Sequence, residues 1–250
     1  MKIERIIILL LLVSSFGFSQ NAEYLFKEKY FKLGLEFGSN LMFTENTSNP
    51  NLYEWVPFQT LNFGLVYNFY QKNNLNIKIA AIYSSFNLKE QKFYKLNNGN
   101  VISIETASGP YSLLIFPLET EYYFKLTDKT YFSLNSGIEF SFNPYGRDEG
   151  YSLSGFSSEG YSSQTSVVEY SREFPIYFGL NLGLSLNLAT KPMLLKFNAK
   201  SHYQFENYIY EGIATTNING DTSISKHNVT GNYIGIGLTI IPNKNIFKQK

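Results

Sequence analysis

The sequence predicts an all-β protein: an eight-stranded antiparallel transmembrane β-barrel that follows a cleaved signal peptide. Three observations predict this fold. Apolar residues recur at every second position in eight segments, the connections between these segments alternate between long and short, and a basic and then apolar run opens the chain. A repeat of two residues is typical of strands whose two faces meet different surroundings.

The composition narrows the function classes. Of the 250 residues, 16% are charged, 17% are aromatic and none is cysteine. Ordinary globular chains carry about 25% charged residues, so this chain is short of charge. The lack of cysteine excludes disulfides, thiolate metal sites and cysteine nucleophiles. A net charge of +1 leaves no basic surface for nucleic acid, and we expect no nucleic-acid partner.

The first 19 residues read as a signal peptide. Lys2 and Arg5 precede the apolar run 6–13, and small residues follow at Gly17 and Ser19. This order fits a secretory signal with a signal-peptidase site. We expect cleavage after Ser19, and residues 20–31 would then form a periplasmic N-terminal segment. The alternative is an uncleaved anchor, but the run is shorter than the roughly 20 apolar residues that a spanning helix needs.

Eight segments alternate between bulky apolar and small or polar residues. The predicted strands cover residues 33–43, 61–69, 75–83, 114–124, 132–142, 174–188, 193–205 and 234–240. Strands in globular proteins average about 5–6 residues, whereas a strand that crosses a bilayer at a tilt needs about 9–11. The length of most of these segments therefore favours strands that span a membrane.

The connections alternate in length without exception. Long connections cover 44–59, 87–110, 143–172 and 206–231, and short ones cover 71–74, 125–130 and 189–192. Outer-membrane barrels have short periplasmic turns, longer extracellular loops and an even strand number. The barrel is therefore expected over residues 32–241, with both termini and a tail of residues 242–250 in the periplasm. Extracellular ribbons could add a further pair, which would give ten strands.

The composition of the two strand faces decides which face points outward. One face is uniformly bulky and apolar, whereas the other is mostly Gly, Asn and Ser with scattered charges. Small side chains suit the narrow interior of an eight-stranded barrel, and aromatic residues gather at the strand ends near the short turns, as in an interfacial girdle. We therefore place the apolar face against lipid. The alternative is a soluble barrel with the opposite orientation.

Three stretches resemble a known family. The segment from Tyr111, YSLLIFPLETEYYFKLTDKTYFSLNSGIEFSF, contains a proline-bearing strand that ends in YYF, a short turn, and a strand with a central glycine. Residues 178–188 (FGLNLGLSLNL) and 233–240 (YIGIGLTI) resemble later strands of the same family. The pattern is similar to the outer-membrane β-barrel domain common in Bacteroidetes, the porin-like or PorT-like family. The resemblance implies a barrel in the cell envelope and a secretion-accessory role, but no activity.

Nine ionisable residues fall on the predicted inner face, and they form the candidate lumen charge cluster. They are Glu36, Lys78, Glu119, Glu121, Glu139, Glu173, Lys196, Lys200 and His202. Buried charges need partners, and an eight-stranded interior is too tight for an open channel. We interpret the cluster as an ion-paired plug, with a proton or ion pathway as the alternative.

The long connections are the candidate contact surfaces. Asn-Gly turns at 97–100 and 219–221 separate strand-like runs, which predicts two extracellular ribbons whose open edges could recruit another chain. The third long connection interleaves glycine and serine with aromatic residues, and such a loop offers either an adaptable contact surface or only a flexible solvated loop. Its contact candidates are Tyr145, Tyr151, Phe156 and Tyr161.

The sequence contains no recognisable catalytic motif. Its two histidines, His202 and His227, make no metal-binding pattern, and Ser201 and His202 should point to opposite strand faces. We expect no enzyme activity, no cofactor and no metal. The leading function is a monomeric structural, interaction or secretion-accessory protein in contact with outer-membrane lipids. A narrow porin is the alternative, and a lipid-modifying enzyme is the remote one.

Overall fold

The computed structural model describes residues 29–46, 53–95, 101–143, 149–158, 161–171, 176–205, 208–218 and 221–245. The predicted signal peptide lies outside these residues. Twelve strands occur in the described part of the chain: β1 Leu33–Asn46, β2 Tyr53–Val56, β3 Phe58–Lys72, β4 Leu75–Lys95, β5 Val101–Lys125, β6 Thr130–Phe142, β7 Glu149–Ser158, β8 Tyr161–Ser171, β9 Ile176–Ala189, β10 Met193–Gln204, β11 Tyr210–Ile218 and β12 Asp221–Pro242. No helix among these residues is long and apolar enough to span a membrane.

Eight of these strands form a closed antiparallel barrel, as predicted. The order is β1-β3-β4-β5-β6-β9-β10-β12, and β12 pairs with β1 to close the ring. Each of the eight predicted segments overlaps one of these strands, although residues 174–175 of the sixth segment lie outside the described residues and Phe205 follows the end of β10. The alternative of ten barrel strands is wrong. Three short connections, at 73–74, 126–129 and 190–192, lie at one end. The described ends of the chain meet there, where Tyr30 bridges to Asn243.

The side-chain pattern confirms that the apolar face points outward. In β3 and β9, buried and exposed residues alternate along almost the whole strand. The exposed positions are large and apolar, such as Leu61 at 73% and Leu182 at 63% exposure, whereas Asn62 and Asn181 beside them are buried. Water would penalise such a continuous apolar exterior, and lipid would not. The soluble orientation is therefore wrong for this barrel.

The wall of the barrel continues past the apolar belt at the end opposite the short turns. The predicted ribbon between the third and fourth strands is present, since β4 and β5 pair up to Lys95 and Val101. The turn at 96–100 lies outside the described residues. The second predicted ribbon is formed by β11 and β12. Both β10, which ends at Gln204, and β11, which begins at Tyr210, pair antiparallel with β12, so β11 runs in the same direction as β10.

The prediction of a loop over residues 143–172 is wrong for most of its length. Residues 149–171 form the hairpin β7–β8, and β8 pairs with β11. Strands outside the bilayer need no apolar face, so serine and glycine replace the bulky residues that would have signalled them. Tyr151 and Phe156 lie in β7 and Tyr161 begins β8, while Tyr145 lies outside the described residues.

One inward glycine is held against its neighbour so closely that no side chain fits. A methyl group on Gly137 in β6 would lie 2.1 Å from the backbone oxygen of Leu118 and 2.7 Å from the Cα of Glu119. Both are backbone atoms of β5, so β5 or β6 must move. We expect Gly137→Ala to cost about 1–3 kcal/mol or more, the range for overpacking. Urea unfolding in detergent micelles measures this cost.

Gly237→Ala is the matched control for this substitution. It adds the same methyl group to β12, where the nearest neighbour, the Phe37 oxygen, is 3.2 Å away. The smaller overlap predicts a smaller loss of stability. Equal losses in the two variants would show that close strand approach at Gly137 is not what forbids a side chain.

His227 gives the sheet beyond the apolar belt a pH dependence. It lies on the part of β12 that pairs with β11, and its side chain is fully buried. Burial disfavours the imidazolium and lowers the pKa of His227 to about 4 from an ordinary value of 6.5. The unfolded sheet therefore binds a proton over a range where the folded sheet does not. We expect the stability of β11 and β12 to fall as the pH falls from about 6.5 to 4.

Hydrogen exchange of β11 and β12, corrected for intrinsic rates, tests this at pH 7 and pH 5. The variant His227→Asn should lose the pH-dependent part of the opening free energy. His202 is present in both the natural chain and this variant. Any pH dependence that comes from His202 therefore cancels when the two proteins are compared. An unchanged pH dependence in His227→Asn would contradict the assignment.

Candidate functional site

The lumen is filled by three layers of side chains. An aromatic and aliphatic floor closes the end with the short turns; its members are Tyr30, Tyr123, Tyr131, Ala189, Leu194 and Ile241. An apolar cap lies at the opposite mouth and includes Met42, Phe58, Ile82, Phe86, Leu113, Ile115, Tyr177, Tyr210 and Val229. The charged residues lie between floor and cap. Among the described residues, apolar side chains therefore border the charged layer on both sides.

The structure brings eight of the nine predicted lumen residues into this middle layer. Glu36, Lys78, Glu119, Glu121, Glu139, Lys196 and His202 are buried, and the Lys200 side chain is 10% exposed. Glu173 lies outside the described residues. The alternation of side chains along each strand is enough to place these residues inside, because each lies at one of the alternate positions that carry mostly polar residues.

Glu121 is the centre of the group nearest the floor. Lys196 forms an ion pair with it across the barrel from β10. The hydroxyls of Ser133 and Tyr123 donate to its two carboxylate oxygens at 2.5 Å and 2.9 Å, and the Asn76 amide donates at 3.4 Å. One lysine and three neutral donors thus compensate a carboxylate that is fully buried, as a buried charge requires.

A second ion pair lies one step toward the cap. Lys78 and Glu119 are direct cross-strand partners on β4 and β5, and their Nζ and Oε2 atoms are 2.7 Å apart. The amides of Asn135 and Asn181 each donate to Glu119 at 3.3 Å. Lys200 approaches Glu36 less closely, with 4.0 Å between Nζ and Oε1, so this pair is weaker in geometry than the first two.

The third group joins Glu139 and His202. Nδ1 of His202 lies 2.8 Å from the Asn181 oxygen and 3.6 Å from Oε1 of Glu139. Oε2 of Glu139 accepts hydrogen bonds from the Tyr233 hydroxyl at 2.7 Å and from the Asn181 amide at 2.8 Å. The Tyr233 ring stacks on the imidazole, with ring centroids 4.9 Å apart. These contacts orient the His202 imidazole and Oε2 of Glu139 against each other.

The cavity among four of the charged side chains is small. A cavity between Glu36, Lys78, Glu119 and Lys200 measures only about 10 Å³, which is at the lower limit for one water molecule. The geometry therefore fits a packed polar core. It does not form a path for hydrated ions through the described residues.

Several members of the core escaped the sequence analysis. The amides of Asn68, Asn76, Asn135 and Asn181 and the hydroxyls of Ser133 and Tyr233 are buried among the charges. The sequence could have placed these side chains inside the barrel, because each lies at an alternate position of its strand that carries mostly polar residues. The apolar cap was harder to read, since in β4 both Ala81 and Ile82 are apolar although only Ile82 faces inward.

Within the described residues, no group of three or more His, Asp or Glu side chains could hold a metal ion. Ser201 and His202 lie on opposite faces of β10: the Ser201 hydroxyl is outside, 3.5 Å from the Leu182 oxygen, and His202 is inside. These two residues therefore cannot act as a nucleophile and its base. The expected absence of metal, cofactor and catalysis stays a prediction.

A closed eight-stranded barrel with an apolar exterior and a packed polar interior is a transmembrane β-barrel of the outer-membrane type. No protein-family model and no curated protein matches the sequence. The class assignment rests on the strand order and the exposure pattern of this chain.

Three solved structures are similar to the chain at low sequence identity. The chain is similar to the outer membrane protein OprG from Pseudomonas aeruginosa, with 13% identity, a TM-score of 0.44, and coverage of 85% of this chain and 96% of that one. It is similar to the β domain of the Bordetella autotransporter BrkA at 8% identity, with a TM-score of 0.23 over 83% and 98% of the two chains. It is also similar to the low-pH structure of OprB from Pseudomonas putida at 7% identity, with a TM-score of 0.19 over 90% of this chain and 100% of that one.

Proposed function

We propose that this protein is a sealed, non-enzymatic barrel of the bacterial outer membrane that presents an extracellular β-sheet to a protein partner. The packed lumen carries the proposal. Buried ion pairs, apolar layers at both mouths and a cavity of only about 10 Å³ support a plug over the alternative of a narrow porin.

Planar-bilayer recording tests whether the barrel is sealed. The purified full-length chain should insert without discrete conductance steps, while an open outer-membrane porin in the same membrane serves as the positive control. Insertion must be shown separately by co-flotation with vesicles. Reproducible ion-selective openings of the inserted chain would favour the porin alternative and overturn the plug.

Two strand edges at the extracellular end support a role in protein binding. Among the described pairings, β7 pairs only with β8, and residues 101–110 of β5 pair only with β4. β7 follows β6 in the chain and β5 neighbours β6 in the barrel, so these two edges adjoin the same part of the rim. Open edges bind extended segments of other chains by strand addition. A secretion-accessory role of the PorT-like kind is one use of such a surface.

Affinity capture in mild detergent tests the binding role. A stoichiometric partner should be retained by the natural chain and lost when residues 149–171 are replaced by a short Gly-Ser linker. Because the barrel strands are unchanged, this variant should still migrate as a folded barrel on unheated gels. Equal capture by both forms would show that the β7–β8 hairpin is not the binding surface.

The proposed orientation places the short turns and both termini in the periplasm. The natural sequence has no cysteine, so single cysteines report their own location. Ile224→Cys, on the extended part of β12, should react with a membrane-impermeant maleimide on intact cells. Asp128→Cys, in a short turn, should react only after the outer membrane is opened. The reverse labelling pattern would overturn the orientation.

A further inference from the structure

The end of the barrel with the short turns carries an excess of positive charge. Its described residues, 29–32, 72–74, 125–130, 190–193 and 242–245, include seven lysines and a single acidic residue, Asp128. With seven positive charges and one negative charge, the net charge of this end is +6. The seven basic residues form the lysine ring: Lys29, Lys32, Lys72, Lys125, Lys129, Lys191 and Lys244.

The lysine ring runs around the whole mouth of the barrel. Lys72 lies at the β3–β4 connection and Lys191 at the β9–β10 connection, and the β5–β6 connection carries two members of the ring. The other three lie where β1 begins and β12 ends, and these two strands are neighbours in the closed barrel. These four places include the ends of all eight barrel strands, so every sector of the mouth has a nearby lysine.

The connections that carry the ring offset little of its charge. Oδ1 of Asp128 lies 2.7 Å from Nζ of Lys125, and no second acidic residue occurs in the described residues of these connections. One carboxylate offsets one lysine, so most of the positive charge is available to an anionic surface. Four members of the ring are exposed: Lys32, Lys72, Lys129 and Lys191.

The opposite end of the barrel has the reverse charge. The described segments past the apolar belt are 44–46, 53–57, 87–95, 101–110, 149–158, 161–171, 208–218 and 221–229. They contain eight acidic residues and four lysines, which gives a net charge of −4. The whole chain has a net charge of only +1. The lysine ring therefore reflects a separation of charge between the two ends and not a basic composition.

The lysine ring lies where the apolar belt ends. Lys32 immediately precedes Leu33, an exposed residue of the belt. Lys72 follows the exposed aromatic residue Tyr70 by two positions. Lysines beside exposed apolar and aromatic residues are typical of a membrane interface, because the aliphatic stem covers apolar surface while the ammonium group reaches the headgroups. The ring is therefore at the level of lipid headgroups.

We propose that the lysine ring binds the headgroups of anionic phospholipids in the periplasmic leaflet, which rests on the proposed membrane location and orientation of the barrel. An anionic membrane surface attracts lysines that lie within about one Debye length, which is about 8 Å at physiological ionic strength. Headgroups at the edge of the belt meet this condition on every side of the mouth. The same headgroups repel the acidic opposite end, so both ends favour this orientation toward an anionic leaflet.

The distribution of the ring favours a lipid surface over a compact anion as the occupant. The lysines lie at the ends of all eight strands, so a small anion or a single polymer chain can approach only some of them at one time. Headgroups surround the barrel where the belt ends and can meet every member at once. The competing occupant is the anionic peptidoglycan, which would approach the mouth from the periplasm.

Lipid retention from a mixture tests the proposal. The full-length chain is incorporated into vesicles that contain equal amounts of two phospholipids with the same acyl chains. Dimyristoyl phosphatidylglycerol is anionic, and dimyristoyl phosphatidylcholine is zwitterionic. After extraction with mild detergent, native mass spectrometry counts the bound lipids of each class. Co-flotation with the vesicles shows separately that the chain has inserted.

Two variants remove four positive charges each, from opposite ends of the barrel. The ring variant carries four substitutions at exposed positions: Lys32→Gln, Lys72→Gln, Lys129→Gln and Lys191→Gln. The matched control carries four substitutions past the apolar belt at the other end: Lys89→Gln, Lys92→Gln, Lys95→Gln and Lys226→Gln. Both variants leave the lumen unchanged and should migrate as folded barrels on unheated gels.

The natural chain and the matched control should retain phosphatidylglycerol over phosphatidylcholine by about fivefold, which corresponds to about 1 kcal/mol for one lysine at an anionic surface. The ring variant should retain the two lipids equally. Salt at about 1 M shortens the Debye length to about 3 Å, so it should reduce the preference of the natural chain.

The same preference in the ring variant and the natural chain, or no preference in the natural chain, would overturn the proposal. Co-sedimentation with purified peptidoglycan that only the ring variant loses, without any lipid preference, would also overturn it and identify the cell wall as the occupant. Failure of all three forms to insert into vesicles would instead refute the membrane location on which the proposal rests.

Discussion

Lys196→Met is expected to lower the free energy of unfolding by about 3–5 kcal/mol, because it leaves the Glu121 carboxylate buried without its cation. The Glu121 side chain has no exposed surface, and that of Lys196 is 3% exposed. Methionine keeps most of the length and volume of lysine, so the loss reports the charge and its hydrogen bond more than a cavity. Equilibrium unfolding by urea in phospholipid vesicles measures it.

A double variant separates the charge from the packing. Glu121→Gln removes the negative charge but keeps an oxygen that can accept from Ser133, which donates to Glu121 at 2.5 Å. Glu121→Gln/Lys196→Met should therefore be more stable than Lys196→Met alone. The coupling between the two changes should fall within about 0.5–3 kcal/mol. If Glu121→Gln instead lowers the free energy of unfolding of the Lys196→Met variant further, the two charges do not stabilise each other.

An exposed ion pair provides the control for this comparison. Lys125 and Asp128 are 2.7 Å apart in a short turn, and the Asp128 side chain is 94% exposed. Solvent screens such pairs, and they contribute about 0–1 kcal/mol. Lys125→Met should therefore have little effect, although it makes the same chemical change as Lys196→Met.

The membrane environment explains why the barrel strands could be predicted from the sequence. Along β9, which was predicted at 174–188, each outward position of the described residues faces lipid and each inward position faces a narrow polar lumen. The resulting alternation located β9 at Ile176–Ala189. Strands β7 and β8 lie outside this environment, so their sequence carries no such alternation, and they were predicted as a loop.

The charges of the lumen were predictable, but most of their pairing was not. Lys78 and Glu119 lie side by side on neighbouring strands, so their pairing follows once the β4–β5 register is known. Lys196 reaches Glu121 across the lumen from β10, which is no neighbour of β5. That contact depends on the stagger and tilt of the closed barrel, quantities that alternation along single strands does not contain.

The remaining prediction tests the environment of the barrel exterior. Ile138 lies near the middle of the apolar belt on β6 and is 42% exposed. Its cross-strand neighbours are Leu118 and Leu180, which also point outward. An arginine near the bilayer midplane on the lipid face of a barrel costs about 2–4 kcal/mol. We expect a loss in this range for Ile138→Arg, measured by urea unfolding in phospholipid vesicles.

Ile224→Arg is the matched control because Ile224 is 63% exposed on the part of β12 that extends past the belt. In water, exposed apolar residues tolerate arginine within about 0.5 kcal/mol, so this variant should unfold like the natural chain. Both sites are exposed isoleucines on β-strands and both receive arginine. They differ in whether lipid or water covers them. Equal and small losses at both sites would mean that water, and not lipid, covers Ile138, and the transmembrane assignment would then fall.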